Sequence, residues 1–361
     1  MYKNELTERL RIDYPIIQAP MAGGVTTSTL VAAVSNHGCL GMIGAGYLTP
    51  RQTRDQIKEV KQLTSNCFGV NLFVPQSFHA TKEEVAAANA LLQPIREQLH
   101  IQEEKNIEIP IYEKTVESFL NQIDVIIEEK VPVCSFTFGL PSEEVVQRLK
   151  ENHIIVVGTA TTVREAIEVE KRGMDLVVVQ GSEAGGHRGN FLRDDEESLI
   201  GLISLIPQVV DNVRIPVVAA GGIMDGRGFL AALCLGAQGV QMGTAFLTCV
   251  ESGAPDVHKD AIIHATEDEI VLTRAFSGKR ARGIKNKFVA EMRGHETAFP
   301  EFPIQNRLTE AIRKKASSQQ NKEFMSLWSG QSPRLAKRQT VDSLIKHIVA
   351  EAEKIKHRLL R

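Results

Sequence analysis

The chain has 361 residues, 43% hydrophobic and 24% charged, with a formal net charge of −2. This is enough for one large domain or two ordinary ones, and so even a charge balance gives no electrostatic basis for binding nucleic acid or an anionic membrane. The five cysteines lack CxxC or metal-ligand spacing, the N-terminus is polar and unlike a signal peptide, and no apolar run approaches ~20 residues. The expectation is a cytoplasmic protein with reduced thiols and no membrane span.

Taken in chain order, eight short apolar runs recur: Pro15–Met21, Leu40–Gly46, Phe68–Val74, Val131–Gly139, Ile154–Ala160, Leu176–Gly181, Ile215–Gly221 and Gly239–Phe246. Runs that are apolar throughout predict parallel strands covered on both faces. Helices are expected between them at Thr27–Asn36, Pro50–Leu63, Ser142–Glu151, Thr162–Arg172, Ser198–Asp211 and Gly226–Leu235. Start signals include Thr49-Pro50 and a capping box at Thr162-Val-Arg-Glu165.

Eight strands alternating with helices over roughly 235 residues match a (β/α)8 TIM barrel. The competing doubly wound open sheet lacks its dinucleotide fingerprint. After the first strand the chain reads Gln18-Ala-Pro-Met-Ala-Gly-Gly24, and Gly41-Met-Ile-Gly-Ala-Gly46 lies within a strand instead of opening a helix. Residues 75–114 form an insertion after the third strand, with a helix at Lys82–Gln98. After residue 247 strand character is expected to give way to helices and loops, ending in Thr340–Arg361. The organisation read from this is a barrel over residues 1–250 and a C-terminal helical segment, 251–361, packing on it. Phe324, Leu327 and Trp328 read as covering the barrel, with a homodimer contact as the alternative.

In a barrel of this kind, chemistry gathers at the C-terminal ends of the strands. The most informative stretch there is Leu176-Val-Val-Val-Gln-Gly-Ser-Glu-Ala-Gly-Gly-His-Arg-Gly189, a strand leading into a glycine-rich loop with one histidine. Carboxylates are scarce at this face. Glu183 is the main candidate and has no partner at a spacing that suggests acid–base pairing, which argues against glycosidase and two-metal chemistry. The ends of strands seven and eight, Ala219-Ala-Gly-Gly-Ile223 and Gln241-Met-Gly-Thr-Ala245, read as a phosphate corner assisted by the helix starting at Gly226. A phosphate there, with Met21, Asn71 and Gln180 on neighbouring strands, suits the ring of a flavin mononucleotide (FMN) across the barrel mouth.

His187 is then the candidate catalytic residue, able to take a proton or hold an anion near neutral pH. His37, His79, His100, His153, His258, His264, His295, His347 and His357 read as structural or peripheral. Arg188 reads either as an anion ligand or as a solvent-facing residue. The cluster Arg274, Lys279, Arg280, Arg282, Lys285 and Lys287 reads as a solvated face.

Together Gln18–Gly24, Phe68-Gly-Val-Asn-Leu-Phe73, Ser135-Phe-Thr-Phe-Gly139, Gly181–Gly189, Ala219–Gly222 and Gln241–Thr244 resemble the nitronate monooxygenase family, once called 2-nitropropane dioxygenase, in its class I-like form. The resemblance covers about residues 5–290. It implies an FMN enzyme that uses O2 to oxidise alkyl nitronates, with propionate 3-nitronate as the expected toxin, to a carbonyl compound and nitrite. It places Met21, Asn71, Gln180, Gly185, Gly222, Gln241, Met242, Gly243 and Thr244 on FMN and His187 at the chemistry. For the substrate pocket it points to Tyr112 and Phe302. An NAD(P)H-dependent FMN enoyl-thioester or quinone reductase on the same barrel is the nearest alternative, with the basic cluster as a docking face for a carrier protein. A flavin-free barrel binding a phosphorylated metabolite is the more distant one.

Overall fold

Each of the eight apolar runs contains a strand. In the computed structural model, which describes residues 2–101, 108–192 and 197–359, the strands in chain order are β1 (Ile16–Gln18), β2 (Gly41–Gly44), β3 (Phe68–Phe73), β4 (Val133–Thr137), β5 (Ile155–Ala160), β6 (Leu176–Gln180), β7 (Gly186–His187), β8 (Val217–Ala220), β9 (Gly239–Met242), β10 (Ile270–Thr273) and β11 (Ala281–Ile284). Residues 102–107 of the expected insertion and the last two residues of the expected Thr340–Arg361 helix lie outside the described residues.

All pairings in the large sheet are parallel, in the order β1-β9-β8-β6-β5-β4-β3-β2. A bridge between Ile17 and Leu40 joins the two ends, with Gln18 N donating to Leu40 O at 2.9 Å, so the barrel is nearly closed. The strands are apolar throughout because they face two cores. Leu176, Val178, Val133, Val157 and Val218 pack in one cluster, while Val177, Val179, Cys134, Val156 and Val217 pack in another with the surrounding helices. Each fully buried Val or Leu contributes about 1.5–3 kcal/mol relative to exposure, and a polar residue on either face would forfeit it.

The helices start where their caps place them. Thr49 accepts from Gln52 N, Gln52 reaches back to Thr49 N, and Pro50 occupies the first turn of Pro50–Leu63. Thr162 likewise accepts from Glu165 N at 3.2 Å, but the expected capping box is only half formed. The buried Glu165 carboxylate turns instead to Thr161 N and Oγ1 and to the amides of Phe191 and Leu192. It ties the loop after His187 to the end of β5. The helix expected from Ser198 begins at Leu202, and an unforeseen helix, Tyr112–Glu128, starts inside the expected insertion and runs on to β4.

The expectation that strands end after residue 247 is corrected. β10 and β11 pair antiparallel, and β11 continues onto β7, with Ala281 opposite His187 and Arg282 opposite Gly186. Beyond them a second core gathers Phe276, Phe288, Ile304, Leu308, Phe324 and Leu327. Phe324 and Leu327 are buried in this second core, and the half-buried Trp328 reaches the barrel mouth beside His187. The helix Val341–Leu359 packs on Gly226–Cys234, where Glu351 accepts from Gly226 N at 2.8 Å. Among the described residues no helix is long and apolar enough to cross a membrane.

Candidate active site

The C-terminal strand ends open into a cavity of about 720 Å³, within the ~300–1,000 Å³ range of small-molecule sites. Met21, Asn71, Gln180, Gly185, His187, Gly222, Gln241, Gly243 and Thr244 all line it, and Met242 is buried just beneath. Of the residues expected at the site, then, nine reach one cavity and one supports it from below.

His187 is held from both sides. Its strand β7 is pinned by β11, Arg188 N donates to Arg280 O at 2.9 Å, and Gln180 bridges the loop behind it. Gln180 Nε2 donates to His187 O at 3.0 Å while Oε1 accepts from Gly189 N at 2.8 Å. Its amide therefore holds the loop as well as facing the cavity. The imidazole Nε2 lies 2.8 Å from Ser277 Oγ, which itself donates to Lys279 O at 3.0 Å. This contact fixes the ring plane and biases which nitrogen carries the proton.

Around the imidazole stand Phe138, Phe302 and Trp328, with ring centroids 5.8, 6.0 and 5.4 Å away. Phe73 and Tyr47 extend this box, Phe73 lying 4.5 Å from Phe138 and Tyr47 5.3 Å from Phe73. Phe138 has a φ of +72°, which for a bulky residue costs about 1–3 kcal/mol and is retained only because its surroundings over-determine it. Tyr112 is elsewhere, packed on Phe78, so of the two expected pocket aromatics only Phe302 is beside the histidine. Tyr47, Phe73, Phe138, Trp328 and Ser277 were not foreseen. The repeat of aromatic residues in Ser135–Gly139 was the one available hint.

Asn71 is buried in β3, and its Nδ2 donates to Ser135 Oγ at 2.8 Å and Thr137 Oγ1 at 3.1 Å. Two hydroxyls of the Ser135–Gly139 segment thus orient it on the cavity wall. At the expected phosphate corner, Gly222 adopts φ +66° and its carbonyl accepts from Ser332 Oγ at 3.0 Å. Gly185 passes so close to the C-terminal segment that a Cβ would stand 2.5 Å from Gly330 N. Gly330 N in turn donates to Thr244 Oγ1 at 2.9 Å. The short helix Thr244–Leu247 begins here with no side-chain cap. The helix at Gly226 does not serve the corner as expected: Asp225 caps it, and Glu351 takes its first amide.

Further expectations change. Arg188 is not solvent-facing; it is fully buried and donates to the carbonyls of Gln180, Gly181 and Ser198. Glu183 is structural, its carboxylate receiving Leu202 N at the start of Leu202–Val210. The basic cluster is not a uniform solvated face, because Arg282 is buried and donates to Ser182 O at 2.9 Å. His258, read as structural, lines the cavity with Nε2 bonded to Trp328 O at 3.0 Å, and burial pushes its pKa down to about 4. It is neutral at physiological pH and adds no charge there.

A family model described as nitronate monooxygenase matches residues 3–351. A probable nitronate monooxygenase of Staphylococcus aureus (strain MSSA476) is 54% identical over 355 residues, covering 98% of each chain. Among solved structures, nitroalkane oxidase from Streptomyces ansochromogenes superposes with a TM-score of 0.90 at 38% identity, over 98% of this chain and 99% of that one. FabK from Thermotoga maritima superposes with a TM-score of 0.78 at 32% identity, over 99% of this chain and 98% of that one.

Proposed function

Because the chain belongs to the nitronate monooxygenase family, and so is an oxidoreductase acting on a small molecule, we propose that it binds FMN and uses O2 to oxidise alkyl nitronates to a carbonyl compound and nitrite. The observation that carries this reading is His187, set in an aromatic box over the glycine-walled corner of a single cavity. The corner suits FMN on its own terms. Gly185 lets the C-terminal segment close onto the corner, Gly222 takes a positive φ that favours glycine, and the uncapped start of Thr244–Leu247 would offer backbone N–H groups to a phosphate. Asn71, Gln180 and Met21 would hold the ring, and Gln241, Met242, Gly243 and Thr244 would form the floor and phosphate side. When bound, FMN supplies the redox couple that links the nitronate to O2.

The chain's own residues have the remaining tasks. A nitronate is already an anion with carbanion character, so its oxidation needs no strong base. Protonated His187 would hold the nitronate oxygens; neutral His187 would take the α-proton of a nitroalkane. Ser277 keeps the imidazole in place for either role. Phe138, Phe302 and Trp328 would exclude water from the reacting carbon and strengthen both interactions.

The reductase reading is tested at the same time. The purified protein is expected to carry the visible absorption band of a flavin, with FMN released on denaturation. Anaerobic mixing with an alkyl nitronate should bleach that band rapidly, whereas NADH should leave it intact. A colourless protein, or one bleached by NADH and not by the nitronate, overturns the proposal in favour of the flavin-free or reductase alternative.

A further inference from the structure

The helix Glu310–Ser318 crosses the cavity mouth, and Glu310, Arg313 and Lys314 line it. Apart from His187 and His258, they are the titratable acid and base side chains of a lining otherwise made of apolar, aromatic, hydroxyl and amide groups. Glu310 does not neutralise Arg313. Its Oε1 lies 2.5 Å from Lys314 Nζ and its Oε2 3.0 Å from Arg307 Nη1. Both oxygens of the one carboxylate among the described cavity-lining residues are thus taken, and Arg313 faces the cavity beside Lys314.

Arg313 is tied back along one edge only. Nη2 donates to the Asn306 carbonyl at 2.7 Å and to Asn306 Oδ1 at 2.9 Å, and Nε to Thr309 Oγ1 at 3.3 Å. Among the described residues Nη1 makes no hydrogen bond. The planar fork is therefore immobilised with one nitrogen left over, which lowers the entropy cost of binding an oxyanion. Burial also lowers its pKa from the ordinary arginine range, with Tyr47 and Glu310 in electrostatic reach. Arg313 is half-buried, so a guanidinium nitrogen that faces the cavity without a carboxylate partner favours an anion that meets it. Tyr47 connects the two ends of the cavity: its ring lies 6.4 Å from Phe302, whose ring is 6.0 Å from His187.

We propose that Arg313 is a specificity-determining residue that binds a carboxylate at the end of the substrate remote from the reacting carbon. The assignment rests on the nitronate reading for the end at His187. The plainer role for Arg313, stapling Asn306 to the helix, would affect all ligands alike, and this separates the two.

The test is calorimetric titration of the holoenzyme with 3-nitropropionate and with the neutral 1-nitrobutane, followed by steady-state oxidation of the corresponding nitronates. Wild type is expected to bind the carboxylate at least tenfold more tightly. Arg313→Met should remove that preference, weakening 3-nitropropionate by roughly tenfold to a hundredfold while 1-nitrobutane stays within about twofold. Arg313→Lys should restore part of it, and Arg313→Gln serves if the methionine variant does not fold. Equal weakening of both ligands, or a wild type that does not distinguish them, overturns the proposal. Binding needs no turnover, so a protein that discriminates through Arg313 yet consumes no O2 with either nitronate refutes the nitronate reading and leaves the subsite standing.

Discussion

Replacing His187 with asparagine separates proton abstraction from anion binding. The amide stops at the level of Nδ1, short of the Nε2 that meets Ser277, and can still donate to an oxyanion, but it takes no proton near neutral pH. The rings packed against the imidazole cannot take over as base. The rings closest to the imidazole are Phe138, Phe302 and Trp328 at 5.4–6.0 Å, and Glu310, the carboxylate lining the cavity, is occupied by Lys314 and Arg307. A positioned general base contributes about 10²–10⁴-fold, or ~3–5.5 kcal/mol. The kcat/KM for neutral nitroalkanes should therefore fall by at least about 10²-fold. Preformed nitronates need no deprotonation and should lose about tenfold or less, the share of one charge-assisted hydrogen bond. Oxygen-electrode rates with each substrate form, normalised to bound flavin, give the comparison. Equal losses for both forms would refute the base role.

Three other predictions follow from contacts around the cavity. Ser277→Ala removes the 2.8 Å partner of His187 Nε2 and should cost about tenfold in kcat/KM for nitroalkanes while moving the acid limb of the pH profile, with Ser277→Thr recovering most of it; an unmoved profile would show that Ser277 does not set the imidazole. His258 is held down to about 4 from an ordinary 6.5, so the unfolded chain takes up a proton that the folded chain refuses as pH falls from 6.5 to 4. Stability is then fully present above pH 6.5, and about 3 kcal/mol of it is lost towards pH 4; urea unfolding should show a shallower decline in His258→Asn, and identical slopes would contradict the burial of a neutral ring. Gly185→Ala places a methyl 2.5 Å from Gly330 N, which should cost ~1–3 kcal/mol and reduce the flavin retained per chain; an unchanged Tm with full flavin load would show that the corner is not closed by this contact.

The barrel was legible because parallel strands buried on both faces leave an unmistakable trace. Leu176–Val179 alternates between two cores, so no polar position interrupts the run. Caps such as Thr49 and Pro50 fixed helix starts through local hydrogen bonds that need no tertiary context. The hairpin β10–β11 escaped for the opposite reason. Its Arg282 is buried and satisfied by Ser182 O, a contact 100 residues away in sequence, so the strand reads as a charged loop. The loop bearing His187 was readable from its glycines, but its support was not. Glu165, Gln180 and Arg188 each hold that loop through backbone groups, which have no signature in residue type. Apart from Phe302, the aromatic box was missed because Tyr47, Phe73, Phe138 and Trp328 come from four separate segments. Each alone reads as core, and only the closed barrel with its C-terminal cover brings them together.

The central claim is that this cavity oxidises nitronates with O2 and needs no nicotinamide. Oxygen uptake on adding propionate 3-nitronate to the holoenzyme tests it most directly, run with and without NADH. The expected result is immediate uptake with nitrite formed and no stimulation by NADH. Uptake that appears only with NADH, or no uptake from a flavin-loaded protein, would contradict the account.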